Sequence, residues 1–225
     1  MVLKRYKEML EILDAGAFKP KTKNKKYKKS QILLYDTKRK YDDFIKMLKY
    51  RRNGNYDDIP HFCVTKSGKV YKILDPEYSS TTFNDNNVDR KQIKIAVENL
   101  GWLNKNTITG IYNNWINDPF RGSPHVRGWR GYFYWDLYTE DQLNTLAELC
   151  FVLCVKYSIT YRCVPSSGYI ENAKNIDGIV SKSNFFDIYT DINPSFNFNI
   201  FEENVKQAES RIWWYKKDAQ YNENP

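Results

Sequence analysis

The sequence predicts an α/β fold, a central mixed β-sheet flanked by helices. Three observations predict it. Short apolar runs such as "QILLYD" (31–36) suit strands buried on both faces. They alternate with stretches of helical periodicity, and a paired run around Lys66-Ser67-Gly68-Lys69 signals a hairpin. With 225 residues and 41% hydrophobic residues, the chain fits one full-sized domain with an appendage.

Along the chain, Leu3, Tyr6, Met9, Leu10 and Leu13 lie at helical spacing before Gly16, which predicts a short helix over 3–15. "KPKTKNKKYKK" follows, with seven lysines from Lys19 to Lys29, so residues 1–29 read as a helix and a lysine-rich tether. The domain proper is expected over 30–212. It opens with strand "QILLYD" and helix "YDDFIKMLKYRR", then the hairpin "IPHFCVTKSGKVYKIL". "KQIKIAVENLGW" alternates apolar and polar residues as a strand with one wet face would, making at least four strands. Residues 104–135, crowded with Trp, Tyr, Gly, Asn and Pro, are too aromatic for disorder and predict an ordered surface insertion. Thr139 and Gln142 form a capping-box pattern ahead of a broad apolar stripe from Leu143 to Tyr157. A last helix should end at Trp213 and Trp214, leaving 213–225 as a polar tail.

The net charge of +8 favours polyanionic partners, and Lys19–Lys29 is either a solvated tether or a weak polyanion contact. No stretch is long and apolar enough for a membrane span, and the amino terminus lacks a signal-peptide core. The four cysteines, Cys63, Cys150, Cys154 and Cys163, form no Cys-x-x-Cys pair and read as buried thiols.

The blocks "QILLYDT", "IPHFCVTKSGKVYKILDPE", "IKIAVENLGW", "YTEDQLNTLAELCFVLCVKYSI" and "TDINPSF" occur in an order that resembles the type 2 N-acetylmuramoyl-L-alanine amidases. That family includes the peptidoglycan recognition proteins, and the likeness covers roughly residues 30–205. The long loop around 115–142 also resembles amidase-like proteins of tailed phages, which implies the infected host's cytoplasm and the virion as locations. The resemblance implies the amidase type 2 (peptidoglycan recognition protein-like) fold and zinc-dependent cleavage of the amide between MurNAc and L-alanine. Such chemistry needs three lone-pair donors on the metal, a fourth position for water, and a nearby proton carrier.

Carried over residue by residue, the family's zinc-ligand positions fall on Tyr35, Lys182 and Asp191, with Asn193 the match in the branch that uses cysteine. The catalytic Glu position falls on Ala96, and a phage-type Tyr position falls on Pro60. An ammonium has no lone pair to give a metal, so the expectation is no cofactor and a fold that has dropped hydrolysis. Lys182 and Asp191 then form an ion pair in place of the metal or are two separate solvated charges. The ligand-binding candidates are His61, Trp102, Trp115, Arg121, Arg127, Trp129, Arg130 and Tyr132; with Tyr134 and Trp135 the aromatics form a sugar-stacking groove or pack on one another. The leading expectation is a protein that binds peptidoglycan glycan or peptide, or a protein partner in a particle or complex. An active amidase with a zinc site relocated to His61 and His125, and a host-directed inhibitor using the old cleft, are the alternatives.

Overall fold

The computed structural model describes residues 12–14, 18, 27–54 and 56–222, with the side chains of Leu13, Gly54 and 211–222 left aside. A six-stranded sheet is built from β1 (Ile12–Asp14), β2 (Gln31–Asp36), β3 (Phe62–Val64), β4 (Val70–Lys72), β5 (Gln92–Val97) and β11 (Gly178–Ser181), in the order β1-β4-β3-β5-β2-β11. Only the β3–β4 hairpin pair is antiparallel; the others run parallel, so the sheet is mixed. Its helices are α1 (Tyr41–Tyr50), α2 (Asn86–Asp89), α3 (Glu140–Tyr157) and α4 (Phe198–Asn222). Phe44, Ile45 and Leu48 of α1 are buried, as are Leu146, Leu149, Cys150 and Leu153 of α3 and Phe201, Val205 and Ala208 of α4.

The hairpin turn shows why its residues are those. Gly68 has φ +74, and a Cβ there would lie 3.0 Å from Thr145 Oγ1 and 3.1 Å from the Asp141 carbonyl, so the turn sits directly on the start of α3. Thr139 caps α3 by accepting the Gln142 N–H at 3.2 Å. The expected reciprocal box is absent: the Gln142 amide instead donates to the Val64 and Glu98 carbonyls, tying the helix start to the sheet.

The structure corrects several expectations. Ile12–Asp14 is a strand paired with β4, so the helix expected over 3–15 does not reach its end; residues 1–11 lie outside the described residues. β5 is buried on both faces: it lies in the middle of the sheet, and the segment from Ser80 to Asp89 covers the face that carries Lys94. Its polar members Gln92 and Lys94 are therefore interior: Lys94 lies 2.8 Å from Asp89. α4 continues through Asn222 rather than ending at Trp214. The insertion is a sheet of its own, starting at Trp102: β6 (Trp102–Lys105), β7 (Tyr112–Asn113), β8 (Pro119–Phe120), β9 (His125–Trp129) and β10 (Tyr132–Trp135), ordered β8-β7-β6-β10-β9 and antiparallel where paired.

Lys29, at the end of the expected tether, is not solvated. It is buried, and its ammonium donates to the carbonyls of Tyr78, Arg90 and Gln92 at 3.1, 3.0 and 3.2 Å. Burial and the neighbouring Lys94 pull its pKa down to about 8. Removing it strands three carbonyls, so Lys29→Met should lower the unfolding free energy by about 1–3 kcal/mol in urea titration at pH 7. Lys28→Met, at an exposed neighbour, should stay within about 0.5 kcal/mol of the parent.

Candidate functional site

The register of the parallel strands assembles the site. Ser181 of β11 pairs with Leu34 of β2, so Lys182 and Tyr35, one residue further on, leave the ladder side by side. Tyr35 is in turn paired with Ala96 of β5, which is paired with Cys63 of β3; both small side chains are fully buried. After β11 the chain makes a tight turn over Lys182–Asn184, in which Ser181 and Asn184 cap each other reciprocally. The Ser183 N–H donates to the Asp191 carbonyl at 2.5 Å, which fastens the returning segment beside that turn.

Lys182 sits at the centre. Its ammonium lies 3.2 Å from Asp58 Oδ2, 5.3 Å from the Tyr35 ring centroid and 4.9 Å from that of Tyr189. The Lys182 side chain is 14% exposed and that of Asp58 17%. Asp191, 4% exposed, pairs with Lys38 at 3.1 Å. The expected Lys182–Asp191 pair is thus replaced by two neighbouring pairs, Lys182–Asp58 and Lys38–Asp191. The reason is positional: Asp58 enters from the segment ahead of β3, held by Thr82 Oγ1 donating at 2.6 Å, and it takes the contact.

Electrostatics keep the cation charged. Burial works against the ammonium, but Asp58 and Asp191 outweigh it and hold the Lys182 pKa above the usual lysine value. Burial, then the charge of Asp58, pushes the Tyr35 phenol well above its ordinary range, so it stays protonated. Asp36 is pushed well up by burial and by Asp191, while the Tyr138 hydroxyl donates to it at 2.5 Å. Of the three positions that the family likeness gives to zinc ligands, Lys182 is an ammonium without a lone pair and Tyr35 a protonated phenol, a poor ligand until it ionises. That leaves only the carboxylate of Asp191, and these three residues do not fit zinc. Among the described residues no group of three His, Cys, Asp or Glu could hold a metal ion.

The second sheet reaches across this place. Arg130 and Gly131 form the two-residue turn between β9 and β10 with φ of +49 and +83, the backbone of a type I′ hairpin. A non-glycine residue there is strained by roughly 1 kcal/mol or more, and its guanidinium offsets that by donating to the carbonyls of Ser183, Phe186 and Tyr189 and pairing with Asp187 at 3.1 Å. At the other end of the sheet, the Trp115 indole and the Asn114 amide donate to the Lys38 carbonyl at 3.0 and 3.3 Å. The insertion is therefore fastened to both partners of the site, the Lys182–Asp191 loop and Lys38.

The remaining sequence candidates scatter. His61 is buried and structural: its Nδ1 accepts the Lys94 N–H at 2.8 Å, its Nε2 faces the Tyr78 carbonyl at 3.1 Å, and burial lowers its pKa well below the usual value. His125 lies in β9 of the second sheet, whereas His61 immediately precedes β3 of the first. Asn193 is buried and donates to Asn99 Oδ1 and the Asp136 carbonyl. The aromatics mostly pack on one another: Trp102 stacks on Tyr132 at 4.4 Å, and Trp135 is fully buried with its indole donating to the Arg127 carbonyl. Arg121 lines a separate cleft with Lys40, Lys66 and Asp136. Asp58, Lys38, Asp36 and Tyr138 belong to the site as well, without a motif in the sequence to single them out. Asp36 stands next to Tyr35 in a quoted block, but Asp58 is 124 positions from Lys182, and no local pattern marks such a contact.

The fold and its register match a known family. The family model described as N-acetylmuramoyl-L-alanine amidase matches residues 25–183, more than half of the chain, so the chain belongs to that family. Among solved structures, the endolysin N-acetylmuramoyl-L-alanine amidase LysCS from Clostridium intestinale is similar at 14% identity and TM-score 0.51, covering 87% of this chain and 95% of its own. A mutant endolysin from Bacillus subtilis is similar at 13% identity and TM-score 0.51, covering 88% and 99%. The Staphylococcus aureus hydrolase AmiA, solved with its ligand, is similar at 11% identity and TM-score 0.50, covering 92% and 90%. Identities this low establish the shared fold. A search of curated proteins by sequence found no match.

Replacing Lys182 by Met should cost about 2–3 kcal/mol at pH 7, because Asp58 is left buried without its cation. The sign with pH follows from the raised pKa: the parent's advantage is fully present below the ordinary lysine value of 10.5 and is lost as pH rises through the folded-state value. Thermal melts of both chains from pH 7 upward check it, with the gap closing above pH 10.5.

Proposed function

We propose that this chain binds peptidoglycan through an amidase fold without cutting it. The observation that carries the reading is the ammonium of Lys182, held between Asp58, Tyr35 and Tyr189 at the position that the family likeness gives to a zinc ligand. A fixed cation there stabilises the returning loop electrostatically, as a bound metal would, but it activates no water. Ala96, at the position of the family's catalytic carboxylate, carries no proton. Arg130, fastened to the Lys182–Asp191 loop, further supports a site closed to a scissile amide.

Peptidoglycan as partner is supported by the family and by neighbours that are themselves named amidases and endolysins. Among the described residues no helix is long and apolar enough to cross a membrane. Purified sacculi provide the test. The chain should sediment with them and release no peptide bearing a free L-alanine amino group over hours. Release of such peptide above the Lys182→Met control overturns the non-hydrolytic reading, and failure to sediment overturns the binding reading.

A further inference from the structure

A second cleft lies outside the Lys182 site, between the start of α1 and the β8 edge of the inserted sheet. Its volume is about 480 Å³, within the range of small-ligand sites, about 300–1,000 Å³. Three cations line it, each from a different segment: Lys40 just ahead of α1, Lys66 in the β3–β4 turn and Arg121 just after β8. All three reach solvent. Lys40 and Arg121 are exposed, and the Lys66 side chain is 31% exposed. The apolar side of the cleft comes from Leu100, Pro119 and Phe120. The Phe120 ring folds against Gly122, where a Cβ would lie 2.8 Å from it, so the turn that carries Arg121 is closely packed.

Two carboxylates also line the cleft, and the fold already occupies both. Glu98 accepts the Tyr41 N–H at 3.0 Å on one oxygen and the Lys66 N–H at 2.9 Å on the other. Asp136, buried, accepts the Leu100 N–H at 2.8 Å and pairs with the Lys66 ammonium at 2.7 Å. The cations keep donors to spare. Among the described residues neither Lys40 nor Arg121 has a carboxylate partner. An ammonium has three N–H donors; that of Lys66 gives two, to Asp136 and to the Leu137 carbonyl, which leaves one.

We infer that this cleft binds a phosphate monoester. Donors that converge from three separate segments suit a tetrahedral group with three terminal oxygens, whereas a carboxylate offers two oxygens in one plane. Arg121 takes two of the oxygens as a fork, and the ammonium groups of Lys40 and Lys66 act on the rest as point charges. Glu98 and Asp136 do not compete for these donors, because their own oxygens are already hydrogen-bonded. The organic part of the ester lies along Leu100, Pro119 and Phe120. Such a site needs neither sugar nor peptide, so it stands independently of the wall-binding reading.

The test is calorimetric titration of the whole chain at pH 7.5 with phenyl phosphate, benzoate and inorganic phosphate. The first two share a ring and differ in the anion. Phenyl phosphate should bind about tenfold or more tightly than benzoate, and more tightly than inorganic phosphate, which has nothing to lay on the apolar side. Arg121→Gln should weaken phenyl phosphate about tenfold with the melting temperature unchanged, the loss expected for one charged hydrogen-bonding partner. Lys40→Gln should weaken it severalfold. Lys174→Gln removes an exposed charge that lines a different cleft, and it should change binding less than about twofold. Benzoate or inorganic phosphate that binds as tightly as phenyl phosphate, no binding up to about 10 mM, or an equal loss in Lys174→Gln and Arg121→Gln each overturns the assignment. Sedimentation with sacculi is a separate readout, so either reading can fail while the other stands.

Discussion

The ammonium of Lys182 is the charge around which the carboxyl ends of the central strands are organised. It stands between Asp58, which comes from the approach to β3, and the loop that carries Asp191, which follows β11. Asp191 is itself neutralised by Lys38 from just beyond β2, so cations and anions alternate across three separate chain segments. A bare carboxylate buried at this depth would be costly, and so would a bare ammonium. Each is tolerable because the other is fixed in place by strand register: Ser181 against Leu34 puts Lys182 beside Tyr35 without any freedom to drift. The two tyrosine rings complete the cage with their π faces.

The same alternation runs deeper into the sheet. Lys94 with Asp89, and Lys29 with its three carbonyls, are interior cations where a wet strand face and a solvated tether were expected. The inserted sheet then closes the surface above, pinned by Arg130 at one end and by Trp115 and Asn114 at the other. Its aromatic residues mostly stabilise the insertion itself, with Trp135 as its buried centre.

The parts of the fold visible in sequence are those whose signal is local. The hairpin around Gly68, the capped helix and the apolar run of β2 each carry their cause within a few residues, whereas β11 lies in a segment rich in turn formers that gives no strand signal. The order of those blocks also pointed to the amidase family, to which the chain belongs. Lys182 and Tyr35 could be named together because the family pattern aligned them. What stayed hidden depends on tertiary context. Lys94 reads as an outward residue by alternation alone, and it is buried because the segment carrying Ser80 and Asp89 lies over that face of β5. Lys29 looks like one more lysine of a run, and only its three carbonyl acceptors distinguish it. Asp58 captured the contact foreseen for Asp191 through a pairing that no spacing rule could reveal. The last helix ran past its expected end because helical propensity continues through "YKKDAQYN" with no glycine or proline to stop it.

If the Lys182 ammonium stands where this family's chemistry places a metal, the site has no place for zinc. Metal analysis of the purified chain after equilibration with excess zinc at pH 7.5 and gel filtration, alongside the Lys182→Met variant, tests it most directly. The parent should hold well under one zinc per chain. One tightly held zinc per chain in the parent, lost on chelation together with thermal stability, would contradict it.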